Sequence, residues 1–413
     1  MKKFVFPKNF LWGAATAAHQ VEGNNINSES WVLEHLPETI YVEPSGDACD
    51  HYHRYPEDIA LLAKLGFNAY RFSVEWARIE PEEGEFSYAE LEHYRRMLVT
   101  CHEHDIQPMV TLHHFTTPRW LMREGGWLDD KTPERFARYT ERVSQHLGDL
   151  MCAACTFNEL NLSSVLSNIL PFKLDEGPHW DAAAQAFGVT LDRLGIFQFV
   201  TNPKMRAVVF DAHRRAFDVL HAGPGNFPVG MTLALVDIQA VEGGQDGAAE
   251  LRRAMSDIYL EQLREDDFVG VQTYERMLIG PDGVIQAGDD VEKNQSGQEF
   301  YPEAIGGTIR HAANVTGIPV IVTENGLAST DDSQRVKFFQ RALSSVAGAI
   351  EDGIDVRGYF AWSLMDNFEW NRGYDPKFGI IAVDRKTQQR SPKPSAYWLG
   401  NVARSNQISP NSF

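Results

Sequence analysis

Short apolar runs of strand length alternate with longer stretches in which apolar residues recur every three or four positions, from one end of the chain to the other. That alternation marks a parallel sheet with helical crossovers. Eight runs read as strands: Phe10–Ala15, Ala69–Ser73, Gln107–Leu112, Met151–Asn158, Val229–Leu235, Phe268–Gln272, Val320–Thr323 and Gly358–Ser363. Eight of them predict a closed (β/α)8 barrel, an α/β fold of the TIM type, and with no Pro-, Gly- or Ser-rich linker the whole span 1–413 reads as one domain. Such a barrel needs about 250 residues. The surplus falls in long loops, each after a strand and so at the C-terminal face: Gly23–Asp50, Asn161–His179, Glu275–Pro302 and Leu364–Trp398.

The helical stretches carry start and stop signals. Pro56 is expected at the first position of a helix that aligns Ile59, Leu62 and Leu65 and stops at Gly66. Ser87 and Glu90 form an S-x-x-E capping box, and Thr132-Pro133 opens another helix that Gly148 closes.

Charge narrows the classes of partner. Lysine plus arginine total 38 against 57 aspartate plus glutamate, a net charge of −19, which repels nucleic acid and anionic membranes. The apolar run Phe4-Val5-Phe6 ends at Pro7, short of a secretion signal, and no uncharged stretch reaches the roughly 18 residues of a membrane helix. A soluble, cytoplasmic protein is expected. Four cysteines are too few for a disulfide framework. Cys152 and Cys155 lie three apart in a predicted strand, on opposite faces and about 10 Å from each other, so they read as core packing. His51, His53, His102 and His104 have no carboxylate or cysteine partner at ligand spacing, and neither a metal nor a cofactor is expected.

In a barrel of this type the chemistry lies at the C-terminal strand ends. There the fourth strand runs into Thr156-Phe157-Asn158-Glu159 and the seventh into Glu324-Asn325-Gly326, with Arg71, His113, His114, Tyr274 and Trp362 ending others. A lone glutamate at a strand end is usually a solvated group. Two, each beside an asparagine and among aromatics, suit glycoside cleavage, where one carboxyl protonates the leaving oxygen and the other attacks or stabilises the anomeric carbon.

The segments Phe10-Leu-Trp-Gly-Ala-Ala-Thr-Ala-Ala-His-Gln-Val-Glu-Gly23, Tyr70-Arg-Phe-Ser-Val-Glu-Trp-Ala-Arg-Ile79, Thr156-Phe-Asn-Glu159, Val322-Thr-Glu-Asn-Gly326 and Trp362-Ser-Leu-Met-Asp-Asn-Phe-Glu-Trp370 closely resemble glycoside hydrolase family 1, the β-glucosidases and their relatives. The resemblance implies a retaining β-glycosidase acting on small β-glucosides and oligosaccharides, with Glu159 as general acid/base and Glu324 as nucleophile. By the same likeness Arg71 and Tyr274 hold the nucleophile. Gln20, His114, Asn158, Glu369 and Trp370 line the sugar subsite over Trp362, and Trp120 and Phe378 are added as aromatic contacts.

The chain also departs from that pattern. Leu160 replaces the proline usual after the acid/base glutamate, Gln272 replaces the asparagine usual before the subsite tyrosine, and Thr116 stands where an aspartate is common. These changes bear on Tyr274 and on the leaving-group side. Two other readings are weighed. Relatives specific for 6-phospho sugars carry serine in place of Glu369, and sugar-binding barrels without activity lack one of the two carboxylates. The same glutamine, glutamate and tryptophan serve gluco, galacto and fuco sugars, and nothing in the sequence points to an oligomeric state.

Overall fold

The computed structural model describes residues 3–169, 177–198 and 203–408. Its eight barrel strands are β1 (Leu11–Ala15), β2 (Ala69–Ser73), β3 (Gln107–His113), β4 (Ala153–Asn158), β5 (Val229–Ala234), β6 (Phe268–Gln272), β7 (Val320–Asn325) and β8 (Val356–Trp362). All eight pair in parallel with their neighbours in chain order, and β8 returns to β1, so the sheet closes as the strand pattern predicts. Of the two cysteines expected as core packing, Cys155 is buried within the barrel, whereas Cys152 precedes β4 and is partly exposed, its thiol donating to the Gln107 side-chain carbonyl; all four thiols are free.

Two cores follow from the alternation of side chains along each strand. One lies inside the barrel, where Ala69, Met109, Ala153, Cys155, Phe268, Ile321 and Phe360 meet. The larger one lies between strands and helices. Its outer layer includes α1 (His51–Leu65), α2 (Tyr88–Glu103) and α3 (Thr132–Leu147); the buried Val165 of α4 (Leu162–Ile169) packs instead in a small third cluster with Ala234, Ile238 and Met277, and α5 (Pro203–Ala222), α6 (Ala304–Thr316), α7 (Asp332–Glu351) and α8 (Pro394–Ser405) continue the layer. On α1, Ile59, Leu62 and Leu65 are buried, each contributing about 1.5–3 kcal/mol, and Gly66 closes the helix in the left-handed region.

The start of α1 differs from the expectation. The helix begins at His51, five residues before Pro56. Asp50 fixes that first turn: its carbonyl accepts from the His53 and Arg54 amides, and its carboxylate reaches both side chains. The missing amide of Pro56 removes one internal bond without stopping the helix. The capping box at α2 is half formed. The Ser87 hydroxyl accepts from the Glu90 amide, but the Glu90 carboxylate turns away to the Tyr52 hydroxyl.

The long loops carry structure of their own. Arg276–Gly280 pairs with Gly283–Ile285 and with Asp237–Ala240 in a three-stranded sheet beside the barrel mouth, and Ile381–Val383 pairs with Arg390–Pro392. The expected loop Asn161–His179 contains α4, and its residues 170–176 lie outside the described residues.

Candidate active site

The alternation that fills the barrel interior breaks where the two carboxylates emerge. Register shifts fall between Cys155 and Asn158 against β5, and between Val322 and Glu324 against β6. Such irregularities re-aim side chains. Asn158 and Glu324 thereby turn toward the barrel axis, and Glu159, with φ 47°, turns beside them. Gly326 lets the chain pass close by, since a Cβ there would stand 1.9 Å from the Trp362 carbonyl.

Both carboxylates line one cavity of about 700 Å³ at the C-terminal strand ends. Beneath it the Arg71 guanidinium is fully buried. It donates to Glu324 Oε1 at 2.6 Å, to Asn158 Oδ1 at 2.6 Å and to Thr111 Oγ1 at 3.1 Å. The Tyr274 hydroxyl donates to Glu324 Oε2 at 2.6 Å. Glu159 has a weaker partner, the Gln272 amide, which donates to its Oε1 at 2.7 Å while the Gln272 carbonyl accepts from Thr323.

Those surroundings separate the two groups electrostatically. Burial, with the nearby Glu324 charge second, pushes the Glu159 carboxyl up to about 8. Burial also raises Glu324, but the Arg71 cation and the Tyr274 and Arg71 hydrogen bonds act against it. A cation and a phenol favour a carboxylate far more than an amide does, so the pair's first proton leaves Glu324.

Around this pair stand polar atoms without a protein partner among the described residues: Gln20 Oε1, His114 Nδ1, Asn158 Nδ2 and Glu369 Oε1. Each is fixed through its other end or its ring. Gln20 Nε2 donates to the Phe368 carbonyl at 2.7 Å, and His114 stacks on Trp362 with centroids 5.8 Å apart. Trp370, Trp362 and Phe378 also line the cavity. Unpaired buried donors and acceptors converging over an indole match a polyol with an apolar face.

Of the residues expected here, Trp120 lies elsewhere. It is buried against Trp76, its indole donates to the Glu80 carbonyl at 2.8 Å, and it does not line the cavity. Phe115 lines it instead, in the left-handed region and edge-on to Trp370, which sequence reading missed. The departure at Thr116 is compensated through space. Its hydroxyl donates to Glu75 at 2.7 Å, so a carboxylate from the loop after β2 steadies the loop that carries His114. The departure at Gln272 supplies the amide that holds Glu159, and Tyr274 keeps its contact with Glu324. No group of three or more His, Cys, Asp or Glu suited to a metal occurs among the described residues.

The sequence model for glycosyl hydrolase family 1 matches residues 2–172 and 265–408. A solved structure titled beta-glycosidase BGL167 is 55% identical over 99% of both chains, with a TM-score of 0.94. The apo structure of a beta-glucosidase 1317 is 44% identical over 96% of this chain and 98% of its own, with a TM-score of 0.89. Beta-glucosidase A of Thermotoga maritima is 31% identical over 98% of each chain.

Proposed function

The chain belongs to glycosyl hydrolase family 1, and from that premise we propose that Glu324 is its nucleophile and Glu159 its acid/base. It is an enzyme, a retaining β-glycosidase of the β-glucosidase type. The observation supporting the assignment of roles is the unlike setting of two buried carboxylates: one against a guanidinium and a phenol, the other against an amide alone.

Glu324, ionised, attacks the anomeric carbon as the bond to the leaving oxygen breaks, and Glu159 gives that oxygen its proton. Forming the glycosyl ester removes the charge on Glu324. The Glu159 carboxyl then loses a repulsive neighbour and becomes more acidic, so it can accept a proton from water while the water oxygen attacks the same carbon and frees Glu324. Two inversions give net retention. Proton NMR of the first sugar released from a β-glucoside should show the β anomer, which only later mutarotates. An α anomer at the outset would remove double displacement.

Gln20, His114, Asn158 and Glu369 in this reading hold the sugar hydroxyls, with Trp362 beneath and Trp370 and Phe378 beside the ring. Four free thiols among the described residues suit a reducing compartment, and no described helix is long and apolar enough to cross a membrane. We place the enzyme in the cytoplasm on that ground.

The pH profile follows from the pair. Glu159 must hold its proton for glycosylation, and with its carboxyl raised to about 8, kcat/KM should hold through neutral pH and fall as pH rises past that value. The Gln272 hydrogen bond lowers this pKa. Gln272→Leu removes it, so the alkaline limb should move to higher pH while the rate drops about tenfold, the worth of a hydrogen bond to a charged group. An unmoved limb would show that another group sets it.

A further inference from the structure

We propose that this enzyme takes an apolar aglycone, an alkyl or aryl group, in preference to a second sugar; the inference rests on the β-glucosidase reading above. The cavity has two unlike ends. Because Glu159 must reach the leaving oxygen, the elements that follow it and the adjoining strand border the leaving group. Helix α4 begins three residues after Glu159 and turns Leu162, Val165, Leu166 and Ile169 to the cavity, at the i, i+3, i+4, i+7 spacing of one helical face. Beyond β5, the neighbour of β4, Leu235 and Val236 line the same cavity. Leu162, Leu166 and Val236 are half-buried and Ile169 is 37% exposed, so apolar surface remains open toward the ligand.

Five polar side chains of the mouth are already joined to one another. Gln298 donates to Glu275 at 2.9 Å, Asn294 donates to Gln298 at 2.9 Å and accepts from the Ser296 amide, and Arg372 donates to the Ser296 hydroxyl at 2.7 Å. At the sugar end the reverse holds, with buried atoms of Gln20, His114, Asn158 and Glu369 left without protein partners. A second sugar laid on the α4 wall gives up water's hydrogen bonds to its hydroxyls and finds few in return. An alkyl or aryl group gives up none and gains in proportion to the area covered.

The experiment compares n-alkyl β-glucosides from methyl to octyl with cellobiose, taking p-nitrophenyl β-glucoside as the control substrate. The longer alcohols are leaving groups of nearly equal acidity, so the slope reports binding of the chain. We expect kcat/KM to rise about threefold per methylene until the wall ends, and octyl β-glucoside to exceed cellobiose by at least about tenfold. Leu166→Asn should lower the octyl-to-methyl ratio about threefold. Should that variant fold poorly, Val236→Thr adds a hydroxyl at nearly constant shape and should lower the same ratio. A flat alkyl series, or cellobiose ahead of octyl β-glucoside, overturns the inference while leaving the glycosidase reading intact. Failure on the control substrate overturns that reading, and the inference with it.

Discussion

Replacing Glu324 with alanine should abolish turnover of every β-glucoside, a loss on the order of 10⁵-fold or more in kcat, because no other group can form the glycosyl ester. The change leaves Arg71 buried without its ion-pair partner, so Glu324→Gln, which keeps the shape and one acceptor, is the companion variant. Glu159→Ala should behave differently. It should spare substrates such as dinitrophenyl glycosides, whose leaving group departs without a proton, and slow those that need one. Azide separates the two roles by stereochemistry. With Glu159→Ala the ester still forms, and azide attacking it should yield the β-glycosyl azide. With Glu324→Ala, azide enters from the face the nucleophile used and should yield the α product. Exchanged anomers would mean exchanged roles.

Unphosphorylated β-glucoside should be preferred over its 6-phosphate by at least about a hundredfold in kcat/KM. The sequence suggests direct repulsion by a Glu369 carboxylate. The structure alters that reason, since burial, with Glu324 second, pushes the Glu369 carboxyl up to about 8, so it holds a proton at neutral pH. What opposes the phosphate is the burial of a dianion with no cation free to pair with both of its charges. Arg372, the cation nearest Glu369 in sequence, lines the cavity but donates to the Ser296 hydroxyl at the mouth, Lys377 donates its ammonium to the Tyr374 carbonyl, and Phe378 offers no hydrogen bond. An unpaired charge in such a site costs several kcal/mol, and about 1.4 kcal/mol is tenfold in rate. Equal hydrolysis of the two substrates would remove this account and favour the phospho-glycosidase reading.

All eight barrel strands were legible because each is buried on both faces, which leaves a continuous apolar run that survives any detail of packing. Glu159 and Glu324 were legible because they sit where those runs stop. The residues that hold them were less so. Gln272 stands out in sequence as a departure, yet that its amide reaches Glu159, 113 residues away, depends on β4 and β6 ending on either side of β5 in the closed sheet. The exchange of Thr116 for a carboxylate from Glu75 is equally a matter of space. Trp120 and Phe115 fall on one loop, and sequence favoured the larger ring. The loop's turn at Phe115 decides otherwise, sending that side chain to the cavity and Trp120 into the core.

The fan of bonds from Arg71 bears on how the molecule assembles. This one side chain on β2 ties to β3 through Thr111, to β4 through Asn158 and to β7 through Glu324, which is 253 residues distant in the chain. Contacts of such separation form late, after the entropy of a very long loop has been overcome. No contiguous fragment of the barrel short of that span holds the nucleophile and its guanidinium together. Competence therefore arrives only with the last seams of the cylinder, and a chain that halts before them during folding is inert however much secondary structure it has already gained.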